Sequence, residues 1–339
     1  MEGGKREVMN IFEMIKRKKD NFKISFDNVV EEWLSCKKMT IKKSSYSNYE
    51  YMINKYLRPY LKEKKIIELE RYNFNELINE LNLELAPKTV RDIVCILKSI
   101  LNYIEDTYGG KVGTNKILVP KLNMENISIF SNVEKKRIET RCIKSNDLRE
   151  LGILICMNTG LRIGEICALK WKNINLEKRI IYVQATLERI YDEKLKKTKV
   201  IIDKPKTKNS VRQIPISNKL YNILKPLKNK YEKDDFFLTG KSERYIEPRC
   251  YQYIYKKILK KCKVSPYKFH CLRHSFASEC INVGMDIKAL SEILGHSNVN
   301  ITLNIYVHSS YNSKKKYLEK IWKFFFKLYT WRYKNSNSL

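Results

Sequence analysis

The stretch KFHCLRHSFA, residues 268–277, sets two histidines and an arginine close together. Four residues apart, His270 and His274 have the helical spacing of a metal clamp. Three apart, His270 and Arg273 have the spacing to grip a phosphate, the guanidinium forking onto two of its oxygens. The metal alternative needs a third ligand and a general base, and the chain supplies neither nearby. It has no HExxH, and Glu279, the nearest carboxylate, lies five residues beyond His274 and off its helical face. The phosphate grip is therefore expected, with His274 behind it, holding helix geometry or bonding a neighbour.

Other pieces with chemical capacity are scattered along the chain. TGLRIGE places Arg162 just after Gly160, with Glu165 three residues on. Alone, that pair is an ordinary ion pair on one helical turn. PKTKNSVR puts Lys206 in a polar turn, where solvated lysines are common. LGHSNVNITLNIYVH ends a helix at Gly295-His296 and carries Tyr306 in the short helical stretch that follows. By itself that segment also fits a helix-turn-helix with Tyr306 in its core.

These residues need elements to bring them together. Residues 26–110 have helical periodicity throughout, as in FDNVVEEWLSCK and in SSYSNYEYMINKYLRPYL, the latter ending near Pro59. A long amphipathic run opens at Pro87 and stops at the glycine pair 109–110, completing a four-helix module. Residues 111–140 have weak periodicity and are expected to be a linker. SNDLRELGILICMNTG then opens a second domain, with Ser145 as the expected helix cap and Asp147 in the first turn. RIIYVQATL, TKVIID and VRQIPI are β-branched or alternating, which predicts three short strands. Helices return from Ser217 onward. The expected fold is mainly α with a small antiparallel β-sheet. Its divisions are a short basic segment 1–24, a helical domain 25–110, a linker 111–140, a second domain 141–312 and a basic, aromatic tail 313–339.

Composition narrows the partner. The 339 residues include 67 Lys+Arg against 37 Asp+Glu, a formal charge of +30, in a chain that is 43% hydrophobic. That is a globular protein facing a polyanion, and nucleic acid is the commonest one. A basic ribosome-associated protein, or the lysine bias of an AT-rich genome, would look similar. Nine cysteines without CxxC spacing fit reduced thiols in a cytosol, not a disulfide framework or zinc knuckle. The N-terminus lacks the apolar run of a signal peptide, and no apolar stretch is long enough to span a bilayer. A cytoplasmic protein with no membrane partner is expected.

In order, the boxes are an arginine, a lysine in a turn, His-x-x-Arg, Gly-His and a tyrosine. That order resembles the tyrosine recombinases, the lambda-type phage integrase family, from about Phe26 to His308. TGLRIGEICALKW, PKTKNSVRQIPI, HCLRHSFAS and LGHSNVNITLNIYVH are similar to integrases of conjugative transposons and temperate phages of low-GC bacteria. The resemblance implies a helical core-binding (SAM-like) domain and an α+β catalytic domain closing as a C-shaped clamp on double-stranded DNA at core-type sites. It also implies a nucleoid-associated site-specific recombinase that integrates or excises a mobile element, acting as a tetramer. An excisionase or host DNA-bending factor is an expected further partner. A type IB topoisomerase-like nicking-resealing enzyme and a catalytically silent DNA-binding regulator are the alternatives.

The chemistry agrees with that resemblance. Cleaving a phosphodiester needs a nucleophile, charge relief on the non-bridging oxygens and a proton for the leaving oxygen. Tyr306 supplies a phenol, although at a pKa of about 10 only roughly a thousandth is ionised near neutrality. Tyr311 is the rival by residue type but falls outside the NIYVH box. Arg162 and Arg273 are fitted to hold the phosphate, His270 and His296 to hydrogen-bond it, and His270 to act as base. By resemblance, Lys206 is the general acid and the intermediate is a 3′-phosphotyrosyl link that needs no metal or other cofactor. Glu165 is expected to orient a neighbouring group. Many relatives carry an arm-binding N-terminal domain, for which the two dozen residues before the helical module are too few. Relatives often pack the segment after the nucleophile on a neighbouring subunit, so the tail is either an oligomer latch or a helix folded back on its own domain.

Overall fold

The computed structural model describes residues 23–109, 111–121, 128–192, 195–203, 211–296 and 298–306, and 318–319, 321–323 and 325–326. For 304–306 it describes the backbone alone. Lys206 and its turn, the Tyr306 side chain, Tyr311, residues 1–22 and most of the tail lie outside this set. The chain divides into two compact units, Met1–Asn126 with Leu187–Ile202, and Ile127–Thr186 with Asp203–Leu339.

The first unit is built on α1 (Phe26–Thr40), whose N-terminus is capped by Ser25. Phe26, Val29, Val30, Trp33 and Leu34 recur at helical spacing and all are buried. α2 (Lys43–Met52) runs through a π turn, Ile53–Leu57, into α3 (Arg58–Leu61). The segment ends at Leu61, two residues past Pro59, as expected from sequence. The widened turn lies directly before Pro59, which sits in the first turn of the continuing segment. Arg58 beyond the turn pairs with Asp27 at 2.7 Å and with Glu31, tying α3 back to α1. The short α4 (Ile66–Leu69), α5 (Phe74–Glu84) and the 22-residue α6 (Pro87–Tyr108) complete the core. α6 begins at Pro87 and ends at Gly109, whose φ of 73° is the left-handed cap expected of a glycine.

In the second unit α7 (Asn132–Lys144) opens with a capping box between Ser131 and Glu134. Part of the stretch expected to be a linker is thus helical. α8 (Leu148–Thr159) is buried along most of its length and packs against α7, α11 (Pro248–Lys261) and α12 (His270–Asn282). Its cap is Asp147, which accepts from the Arg149 N–H, and not Ser145, which ends α7 and accepts from the Asp147 N–H. A carboxylate at the cap also meets the helix dipole favourably. Gly152 is the contact point of α8 with its surroundings. A Cβ there would lie 2.4 Å from Leu238 and 2.6 Å from the Tyr251 hydroxyl.

Among the described residues five strands form where three were expected. β1 (Ile174–Asn175), β2 (Ile180–Val183) and β5 (Arg212–Pro215) make an antiparallel sheet in the order β1-β2-β5. The run RIIYVQATL splits at Gln184-Ala185, and β3 (Thr186–Asp192) leaves to pair with β4 (Lys197–Asp203) in a separate sheet. That second pair belongs largely to the helical unit, where the Ser47 hydroxyl donates to the Tyr191 carbonyl and Tyr51 meets Tyr191 edge-on. α9 (Ile163–Ala168), α10 (Asn218–Leu224), α13 (Ile287–Leu294) and α14 (Val299–Tyr306) complete the second unit. No helix among the described residues is long and apolar enough to cross a membrane.

Candidate active site

Arg162, Glu165, His270, Arg273 and His296 gather in the second unit around the C-terminal end of α13, with His274 against His270. Gly160 ends α8 at φ 66° and turns the chain sharply into α9. Arg162 is the residue before α9, where its N–H donates to Glu165 Oε2 at 2.8 Å and its Nη1 to Oε1 at 3.0 Å. Its Nη2 reaches across to the Gly295 carbonyl at 3.1 Å. Glu165 is buried, but it is not paired with Arg162 alone. Arg212 of β5 lays a two-pronged fork on the same carboxylate, at 2.8 and 2.9 Å. Burial opposes the charge, yet the Arg212 hydrogen bonds and charge, then the Arg162 charge and N–H, outweigh it and hold the Glu165 carboxyl at about 2.

Arg273 and His270 both come from α12, as the three-residue spacing predicts. Arg273 is 1% exposed and spends its two Nη groups on backbone carbonyls, Gly160 at 2.9 Å and Leu294 at 2.7 Å. His270, one turn earlier, is partly open to solvent and meets His274 edge-on with ring centres 4.6 Å apart. His296 follows the left-handed Gly295, and its Nδ1 is 2.8 Å from the hydroxyl of the buried Thr302 on α14. Desolvation, then the charges of His274, Arg273 and Arg162, push the His270 imidazole down to about 4. Desolvation, then Arg273, Arg162 and Arg212, do the same for His296, again to about 4. Packing and then Arg273 lower His274. At neutral pH the site therefore holds neutral imidazoles beside permanent guanidinium charges.

Such a cluster attracts an anion and offers N–H donors to its oxygens. Arg162 keeps about a third of its side chain open, whereas Arg273 lies sealed beneath. Among the described residues no three His, Cys, Asp or Glu side chains converge as a metal site. Sequence reasoning missed Arg212. The signal was parity: in VRQIPI it lies two residues before Ile214 and four before Ile216, so alternation turns it inward with them, and all three are buried.

A helical module in one chain with an α+β domain that has two arginines and two imidazoles at one helix end defines a tyrosine recombinase, a metal-independent DNA strand-exchange enzyme. The chain belongs to the phage integrase family: residues 120–313 match the family model, and residues 25–82 match its N-terminal SAM-like domain. It is 31% identical over 323 residues to a XerC-like tyrosine recombinase of Caldanaerobacter subterraneus subsp. tengcongensis, covering 84% of this chain and 79% of that protein. Among solved structures it is similar to the Tn1549 transposon integrase in complex with circular intermediate DNA. There the TM-score is 0.70 and identity 22%, over 88% of this chain and 100% of that one. A lambda integrase tetramer bound to a Holliday junction shares the fold at TM-score 0.57 and 15% identity, over 84% of this chain and 77% of that one.

Proposed function

We propose that this chain cuts and rejoins double-stranded DNA at the core-type sites of a mobile element, integrating or excising it. Tyr306 is the nucleophile, forming a 3′-phosphotyrosyl bond and releasing a 5′ hydroxyl. Arg162 and Arg273 neutralise the phosphate, and His270 and His296 hydrogen-bond its oxygens. His270 takes the phenolic proton, since a neutral imidazole has a free acceptor nitrogen. Lys206 protonates the leaving 5′ oxygen. The observation that carries this reading is the convergence of Arg162, Arg273, His270 and His296, from separate parts of the chain, on the end of α13.

The working form is a tetramer on DNA in the cytoplasm, at the nucleoid. The tail is its latch: Leu318, Ile321, Trp322, Phe325 and Phe326 are all exposed in the single chain. A DNA-bending factor or excisionase would set the direction of exchange.

The test is a nicked duplex carrying the repeat-flanked junction that adjoins the coding sequence. The parent chain is expected to form a covalent adduct that traps the strand, and Tyr306→Phe to bind the same DNA without forming it. Adducts persisting in Tyr306→Phe would move the nucleophile elsewhere. Arg162→Lys should cleave about a hundred- to a thousandfold more slowly, because a point charge cannot replace the fork. Rapid relaxation of a supercoiled plasmid lacking any such junction would instead mark a topoisomerase.

A further inference from the structure

Three arginines from three elements close on three consecutive carbonyls at the end of α13. Arg212 Nε donates to Ile293 at 2.5 Å, Arg273 Nη2 to Leu294 at 2.7 Å and Arg162 Nη2 to Gly295 at 3.1 Å. The last carbonyls of a helix have no amide partner of their own and carry the negative end of its dipole. Cationic donors are their natural complement. The next residue in the chain is His296.

Two of these arginines already have a part in the proposed chemistry. Arg212 has none, yet it is the most thoroughly anchored. It is buried, begins β5 six positions after Lys206, and holds both oxygens of Glu165 while its Nε holds Ile293. Glu165 in turn fixes the backbone and one Nη of Arg162. Arg212 thus reaches the site by two routes, through a carboxylate to Arg162 and through the helix end to His296.

We propose that Arg212 is a positioning residue for strand cleavage, fixing where Arg162 and His296 stand without itself touching DNA. This rests on the recombinase reading above. A lysine cannot do the same, since one ammonium on a flexible stem cannot fork onto Glu165 and reach Ile293 together. Arg212 is also among the charges that keep His296 neutral. A purely structural role, stitching β5 to the core, would cost stability alone.

The experiment compares the full-length parent with Arg212→Gln and Arg212→Lys. It measures melting, DNA affinity, single-turnover adduct formation on the nicked duplex, and the titration of His296 in 15N-histidine spectra, assigned with His296→Asn. Both variants are expected to fold and bind DNA nearly as the parent does. Adduct formation should fall about a hundredfold in Arg212→Gln, the loss that a small misplacement of a reacting group produces, and by less in Arg212→Lys. His296 should titrate at higher pH in Arg212→Gln and near the parent value in Arg212→Lys. Parent-like cleavage in a folded Arg212→Gln, an unmoved His296 titration in that variant, or failure of both variants to fold would overturn the role. Absence of any adduct in the parent would instead overturn the recombinase reading beneath it.

Discussion

His270 and His296 fold into the protein unprotonated, and that makes stability depend on pH. Each is held at about 4, against about 6.5 for a histidine in an unfolded chain. Between those values the unfolded chain binds more protons than the folded one, so stability rises with pH across the window. Melting temperature should fall as pH drops from about 6.5 toward about 4, with no contribution from these rings above that range. Glu165 has the same sign for a different reason. Its ion pairs are fully effective above the ordinary carboxylate range and are lost as pH falls through its value of about 2. A melting series from pH 8 to pH 3 checks both, and a His296→Asn variant should flatten the upper part of the curve. At this scale Arg162, His270, Arg273 and His296 were legible because each sits in a box with its own spacing. Arg212 was not, because a lysine-rich run precedes it and arginine inside a strand is read as surface unless strand parity is counted.

Helices with strong punctuation were legible as elements: Pro87 and Gly109 bracket α6 as their backbone preferences dictate. Elements whose limits depend on what they pack against were harder. Nothing local announces that the helix after Lys43 widens into a π turn before Pro59, or that a continuous β-branched run is shared between two sheets. The Ser145 and Asp147 assignment was one of two adjacent residues both able to cap, decided by which one's side chain reaches an N–H of the first turn. Gly160 is the element boundary on which the site turns. It adopts φ 66°, and a Cβ there would lie 2.7 Å from Phe276 and 2.8 Å from Leu294, while its carbonyl receives Arg273. Gly160→Ala is expected to cost about 2 kcal/mol or more, from the left-handed backbone and overpacking together. Urea unfolding measures the loss, and cleavage should suffer beyond it because the Arg273 anchor moves.

For the whole molecule the dominant fact is the formal charge of +30. If DNA affinity comes mainly from phosphate contacts, neutralising ~6–10 of them should lower it roughly 10³–10⁵-fold between 50 and 200 mM salt. A fluorescence-anisotropy titration across that range gives the slope, and a weak salt dependence would remove the backbone-contact account of binding. The free cysteines offer a measurement of another kind. Cys142, Cys156, Cys167, Cys262, Cys271 and Cys280 are buried, and all six lie in the second unit, whereas Cys36, Cys95 and Cys250 are exposed. Burial raises the pKa of all six, Cys280 to about 11 and Cys142 to about 12, so they resist alkylation while the fold is closed. A thiol reagent followed by mass spectrometry should label three sites at once and the other six only as fast as the second unit opens. The native chain therefore carries an internal clock for the breathing of its catalytic half, one that needs no introduced probe, while the exposed thiols of the first unit react at once.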